Sequence, residues 1–133
     1  MPEKRTIARA RRDARQGKAA TTQAGEFIRE EIHHVREGKH GARSTKQAIA
    51  IGLSKARRAG VKLRPPSKSQ ASSRTIQQAK RDIRKGHRRT AKPSAKRARA
   101  SLRALKREQY GAASRPALAR HARKAARTRR KRS

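Results

Sequence analysis

Nine of the chain's fifteen Leu, Ile, Val and Phe residues fall between Phe27 and Leu63, and this clustering limits folding more than any other feature of the 133 residues. The nine are Phe27, Ile28, Ile32, Val35, Ile49, Ile51, Leu53, Val61 and Leu63. Together the four residue types make up about 11% of the chain, under the roughly 20% below which a highly charged polypeptide tends toward disorder. One large core is therefore excluded, and any small folded module is expected in that stretch.

No window alternates apolar and polar residues as a strand does, and Ala, Arg, Lys and Gln favour helix. The expected fold class is all-α: a small helical hairpin flanked by basic arms that are helical or disordered. A first helix is expected over residues 3–16, with Ile7, Ala10 and Ala14 on one side and Gly17 ending it in a left-handed conformation. A second is expected from Thr22 as cap to Glu37, with Ala24, Ile28, Ile32 and Val35 on one stripe, Phe27 beside it, and Gly38 as terminator.

The third helix has the better start signal. Ser44-Thr45-Lys46-Gln47 reads as a capping box, and the helix should end at Ala59, before Gly60. Ala48, Ile49, Gly52, Leu53, Ala56 and Ala59 share one arc suited to packing on the second helix, with Gly52 permitting close backbone approach. Val61 and Leu63 fold back over the open end, while Ile51 lies outside the arc. The resulting organisation is a basic N-terminal helix or arm (1–21), a helical hairpin (22–63), a Pro/Ser linker (64–74) containing Pro65 and Pro66, and a basic Ala/Lys/Arg-rich tail (75–133), helical in parts or disordered.

Residues 6–17, TIARARRDARQG, echo residues 75–86, TIQQAKRDIRKG, at 7 of 12 positions without a gap. A basic helix closed by Gly is the unit this suggests, and Val35-Arg36-Glu37-Gly38-Lys39 repeats its ending. Biased composition is the competing explanation.

Charge narrows the partner. There are 41 Lys plus Arg against 8 Asp plus Glu, a formal net charge of +33. Residues 67–133 are the more basic half, with 24 basic and 2 acidic residues. Such a chain repels itself until phosphates neutralise it and release their counterions, the main source of sequence-independent affinity for nucleic acid. The candidate phosphate-binding residues are Arg9, Arg11, Arg12, Lys46, Lys55, Arg57, Arg58, Arg81, Arg84, Arg88, Arg89, Arg97, Arg99, Arg127, Arg129, Arg130, Lys131 and Arg132. Arg supplies forks that match phosphate oxygens and Lys supplies adaptable point charges.

Other chemistries are poorly served. Cysteine is absent, which removes disulfides and thiolate metal sites. No apolar run approaches the roughly 18 residues of a membrane span, and the N-terminus lacks an apolar signal core, so a cytoplasmic protein without a membrane partner is expected. No nucleophile, base and orienting-group set and no Gly-rich phosphate loop is visible, so neither catalysis nor a small-molecule substrate or cofactor is expected. His33, His34 and His40 lie near Glu30 and Glu37, but without a second ligand-rich segment they read as surface groups and no metal is expected. Six residues, 38–43, separate the second and third helices, longer than the three or four of a helix-turn-helix. Aromatic stacking on single strands has only Phe27 and Tyr110 to draw on.

The segment GEFIREEIHHVREGKHGARSTKQAIAIGLSKARRAGVKL, residues 25–63, resembles a bacterial family of small basic proteins of unknown function, often labelled DNA-binding. Its most specific part is KQAIAIGLSKARRAG, Lys46 to Gly60, and the basic N-terminal helix and Lys/Arg-rich tail around it are similar in arrangement. The resemblance carries no established mechanism. The tail also resembles linker-histone tails, in composition alone. The expected function is non-sequence-specific DNA binding or nucleoid compaction through Lys/Arg-to-phosphate contacts. The alternative is an RNA-binding or ribosome-associated basic protein.

Overall fold

A computed structural model describes residues 3–87, 94–108 and 110–132. Among them the fold is all-helical: α1 (Lys4–Arg15), α2 (Ala20–Arg36), α3 (Thr45–Arg58), α4 (Ser73–His87), α5 (Ala95–Lys106) and α6 (Arg115–Arg132), with a 3-10 turn at Gly111–Ala113. No described helix is long and apolar enough to cross a membrane. The chain forms two compact units, one from residues 1–30 and 50–92, the other from 31–49 and 93–133. The stretch expected to fold alone, 22–63, thus contributes to both.

The first three helices end in the same way. Gly17, Gly38 and Gly60 have φ of +74°, +76° and +99°, a region that favours Gly because it has no Cβ. After α3 the Gly60 N–H donates to the Arg57 carbonyl and the Val61 N–H to the Ala56 carbonyl, the paired bonds of a Schellman motif. Gly17 with Lys18, and Gly38 with Lys39, make the same pair. Val61 and Ala56 also share the buried core, completing the motif's apolar contact.

Starts depart further from expectation. The Thr22 and Gln23 N–H groups both donate to the Ala19 carbonyl, so α2 begins at Ala20 and Thr22 is not its cap. At α3 Ser44 Oγ accepts from the Gln47 N–H at 3.1 Å, but the Gln47 side chain accepts from the Arg43 N–H rather than closing the reciprocal box on Ser44.

In the first unit Ala10, Ala24, Phe27, Ala56 and Val61 are buried together, with Ile7, Ala20, Leu53 and Leu63 packed against them. Most of these side chains are small, so the backbones come close. A Cβ on Gly52 would lie 2.7 Å from the Ile28 Cα and 2.9 Å from its N. α1 buries Thr6, Ala10 and Asp13, whereas Ala14 and Ala59, expected inside, are exposed. Spacings of four and three place residues 6, 10 and 13 on one face, and residue 14 falls at its edge, toward the open end of the helix. Ile51, without an expected place, is half-buried.

The internal echo has a structural counterpart here. Ala10 and Ala79 are both buried, as are Asp13 and Asp82, and Ile7 and Ile76 are both half-buried. Asp82 accepts from Ser54 Oγ at 2.7 Å and from Gln78 Nε2 at 3.2 Å, with Arg58 Nε at 3.5 Å, which seats α4 on α3. Glu30 does the corresponding work for α1, accepting from the Glu3 N–H at 2.6 Å and Thr6 Oγ at 3.1 Å.

The second unit buries Val35, Ala42, Ala48, Ala112 and Ala113, with Ile32 against them. The 3-10 turn is its plug: the Ala113 carbonyl accepts from Arg36 Nε at 3.0 Å and the Ala112 carbonyl from Thr45 Oγ1. The Gly41 N–H donates to the Leu105 carbonyl at 2.8 Å, securing the end of α5.

Two predictions follow from the first unit. Gly52→Ala should destabilise by about 1–3 kcal/mol because backbone must move, while Gly25→Ala, with nothing within 4 Å of the added Cβ, should stabilise by roughly 0.5–1 kcal/mol through helix propensity. Thermal denaturation of the two variants checks the opposite signs. Asp82→Ala removes the acceptor of the Ser54 hydroxyl and the Gln78 amide and should cost about 1–3 kcal/mol, with amide-exchange protection lost first over residues 73–87.

Candidate nucleic-acid interface

The interface begins with a helical period. In α1 positions 5, 9, 12 and 15 recur at spacings of three and four, so burial of Thr6, Ala10 and Asp13 leaves their side chains on another face. Arg5, Arg9, Arg12 and Arg15, with Ala8, line one shallow depression on that face. Arg9 is half-buried and the other three are exposed, with Arg5 Nη2 3.5 Å from Glu3 Oε2. Arg9 and Arg12 belong to the expected set; Arg5 and Arg15 fall outside the tight basic run and only the helical spacing reveals them. Arg11 is exposed but does not line the depression.

α4 repeats the division. Ala79 and Asp82 face inward, and Arg74, Lys80, Arg81, Arg84 and Lys85 are exposed. Of these only Arg81 and Arg84 were expected as site residues. Arg88 and Arg89 lie outside the described residues.

On α3 the adjacent basic residues part company. Arg57 is 9% exposed and its Nη2 donates to the Arg64 carbonyl at 3.0 Å, so it does not present a guanidinium to solvent as expected. Burial lowers its pKa from the ordinary arginine value, opposed by the nearby Asp82 carboxylate; the group stays cationic near neutrality. Its Nε has no hydrogen-bond partner. Arg58 is on the surface but engaged, its Nη2 donating to Ser54 Oγ at 2.9 Å. Lys55 is half-buried and Lys46, in the second unit, is exposed.

The second unit carries the densest charge. Arg97 and Arg99 are exposed on α5, a helix with no buried residue. On α6 the half-buried positions Leu118, His121 and Ala125 follow a helical stripe, and Arg127, Arg129, Arg130 and Lys131 are exposed on the last turns, which Arg132 closes. Cations at a helix C-terminus favour the dipole, but like charges three and four apart repel.

The acids are disposed oppositely. Asp13, Glu30, Glu31 and Asp82, half of the eight carboxylates, are buried, whereas among the described Lys and Arg residues only Arg57 is. Glu30 and Glu31 are therefore interior groups of α2 rather than surface ones. His40 is also inside, 4% exposed and beside Glu31, so the reading of the histidines as surface groups fails for it.

No curated protein and no solved structure matches the chain. A family model described as a family of unknown function, DUF6496, matches residues 3–69. That span takes in α1, α2, α3 and the Pro65–Pro66 segment, and it includes the Lys46 to Gly60 motif. With half of its length inside the match, the chain belongs to the DUF6496 family of unknown function.

Proposed function

We propose that this protein binds DNA without reading its sequence, coating or compacting it in the bacterial nucleoid through Lys and Arg contacts to phosphates. One observation carries the reading: four of the eight carboxylates are withdrawn into the interior while nearly all described cations stay outside. The surface is thus more basic than composition alone implies, and an external polyanion is the natural source of neutralisation. Phosphate contacts of this kind position a protein without specifying bases.

Groove reading has less support. Residues 37–44 separate α2 from α3, twice the usual turn of a helix-turn-helix, and Arg57 of the expected recognition set is internal.

If 6–10 phosphates are engaged, duplex affinity should fall roughly 10³- to 10⁵-fold between 50 and 200 mM salt, equally for unrelated sequences. Affinity that ignores salt would falsify the proposal. Cross-linking in cells followed by sequencing of the recovered nucleic acid separates the partners, and predominance of ribosomal RNA would move the assignment from DNA to RNA. Replacing Arg9 and Arg12 together with Ala should weaken binding uniformly across sequences and reduce the slope of log affinity against log salt by about 2. Fluorescence anisotropy over a salt series measures both.

A further inference from the structure

The second unit rests on one Val, four Ala and a half-buried Ile, very little apolar volume for a folded body. Small cores of this kind are commonly reinforced by a staple such as a metal ion. Beside this core two imidazoles and a carboxylate converge. Glu31 and His34 are one turn apart on α2, and His40 returns toward them from the connection beyond Gly38. Glu31 is fully buried, His40 nearly so, and His34 half-buried.

His40 Nε2 lies 3.1 Å from Glu31 Oε2, and His34 Nδ1 lies 3.8 Å from Glu31 Oε1. One ligand atom from each of the three residues falls within 4.8 Å of the others. The second separation is too long for a hydrogen bond. It suits two ligands of one ion, because bonds of about 2.0–2.1 Å in tetrahedral geometry hold ligand atoms roughly 3.3 Å apart.

The orientation of His40 adds an independent argument. Its Nδ1 is 2.8 Å from the Gly41 carbonyl oxygen, which can only accept, so Nδ1 carries the proton. Nε2 then faces the Glu31 carboxylate, and at 3.1 Å a positive centre, a proton or a metal ion, lies between the two atoms. A backbone carbonyl that fixes the far nitrogen is the usual outer partner of a metal-binding imidazole. We infer that Glu31, His34 and His40 bind a divalent transition-metal ion of the zinc type, through two imidazole nitrogens and the Glu31 carboxylate, with a further position for water. The ion fastens the connection between α2 and α3 to α2 and reinforces the small core. None of the three ligands belongs to the candidate phosphate-binding set, and the inference does not rest on that proposal.

The rival occupant is a proton on His40 Nε2, giving a metal-independent ion pair. Full-length protein stripped with a chelator and titrated with Co²⁺ separates the two. One equivalent of Co²⁺ should bind with the visible absorption of a tetrahedral complex, be displaced by Zn²⁺, and Zn²⁺ should raise the melting temperature. His34→Gln, with its fold checked by circular dichroism, should weaken binding at least about tenfold, whereas His33→Gln, at the exposed neighbour, should not change it. A melting temperature unmoved by Zn²⁺, no saturable Co²⁺ spectrum, or a spectrum of unchanged affinity in folded His34→Gln would each overturn the inference.

Discussion

Four buried carboxylates, each on a helix, face groups that come from outside their own stretch of helix. Glu30 accepts from the start of α1, Asp82 from Ser54 of α3 and Asp13 from Lys18 across the turn that ends α1, while Glu31 lies against His40 of the following connection. Burying an ionised carboxylate is costly unless its oxygens are bonded, and removal of one partner is correspondingly destabilising. The chain carries this cost because its cores are mostly Ala, which bury little area and have no side-chain shape to set a register. Directional bonds to a buried oxygen set it instead.

That division between small apolar cores and polar fasteners decides what can be read from the residues. Helix ends are legible, since Gly17, Gly38 and Gly60 each follow a periodic run directly. The start of α2 is not, because Ala19 carries no capping side chain and Thr22, which does, falls one turn too late. Pattern rules place Asp and Glu on surfaces, so the burial of Asp13 and Asp82 is invisible even though the echo marks both positions. α5 has no buried residue, so the helical spacing of Ala98, Leu102 and Leu105 after Ser94 marks a helix there without marking a core contact.

The candidate interface divides along the same line. Arg9 and Arg12 stand out as part of a basic run, but Arg5 and Arg15 join them only once the helical face is known. Arg57 and Arg58 look equivalent as neighbours, yet successive residues on a helix point about 100° apart. One therefore enters the first unit and the other lies along its surface.

The echo between residues 6–17 and 75–86 shows how the fold extends past the family match, which stops at residue 69. Within the first unit α1 is secured to α2 through Glu30, and α4 is secured to α3 through Asp82. Each helix buries one Ala and one Asp of the shared pattern and turns its arginines outward. Repeating such a helix adds little apolar area but adds a second row of cations whose own carboxylate is hidden inside. Every further copy makes the fold only slightly larger and its surface markedly more basic, so the pattern that builds this unit also increases its need for an anionic partner.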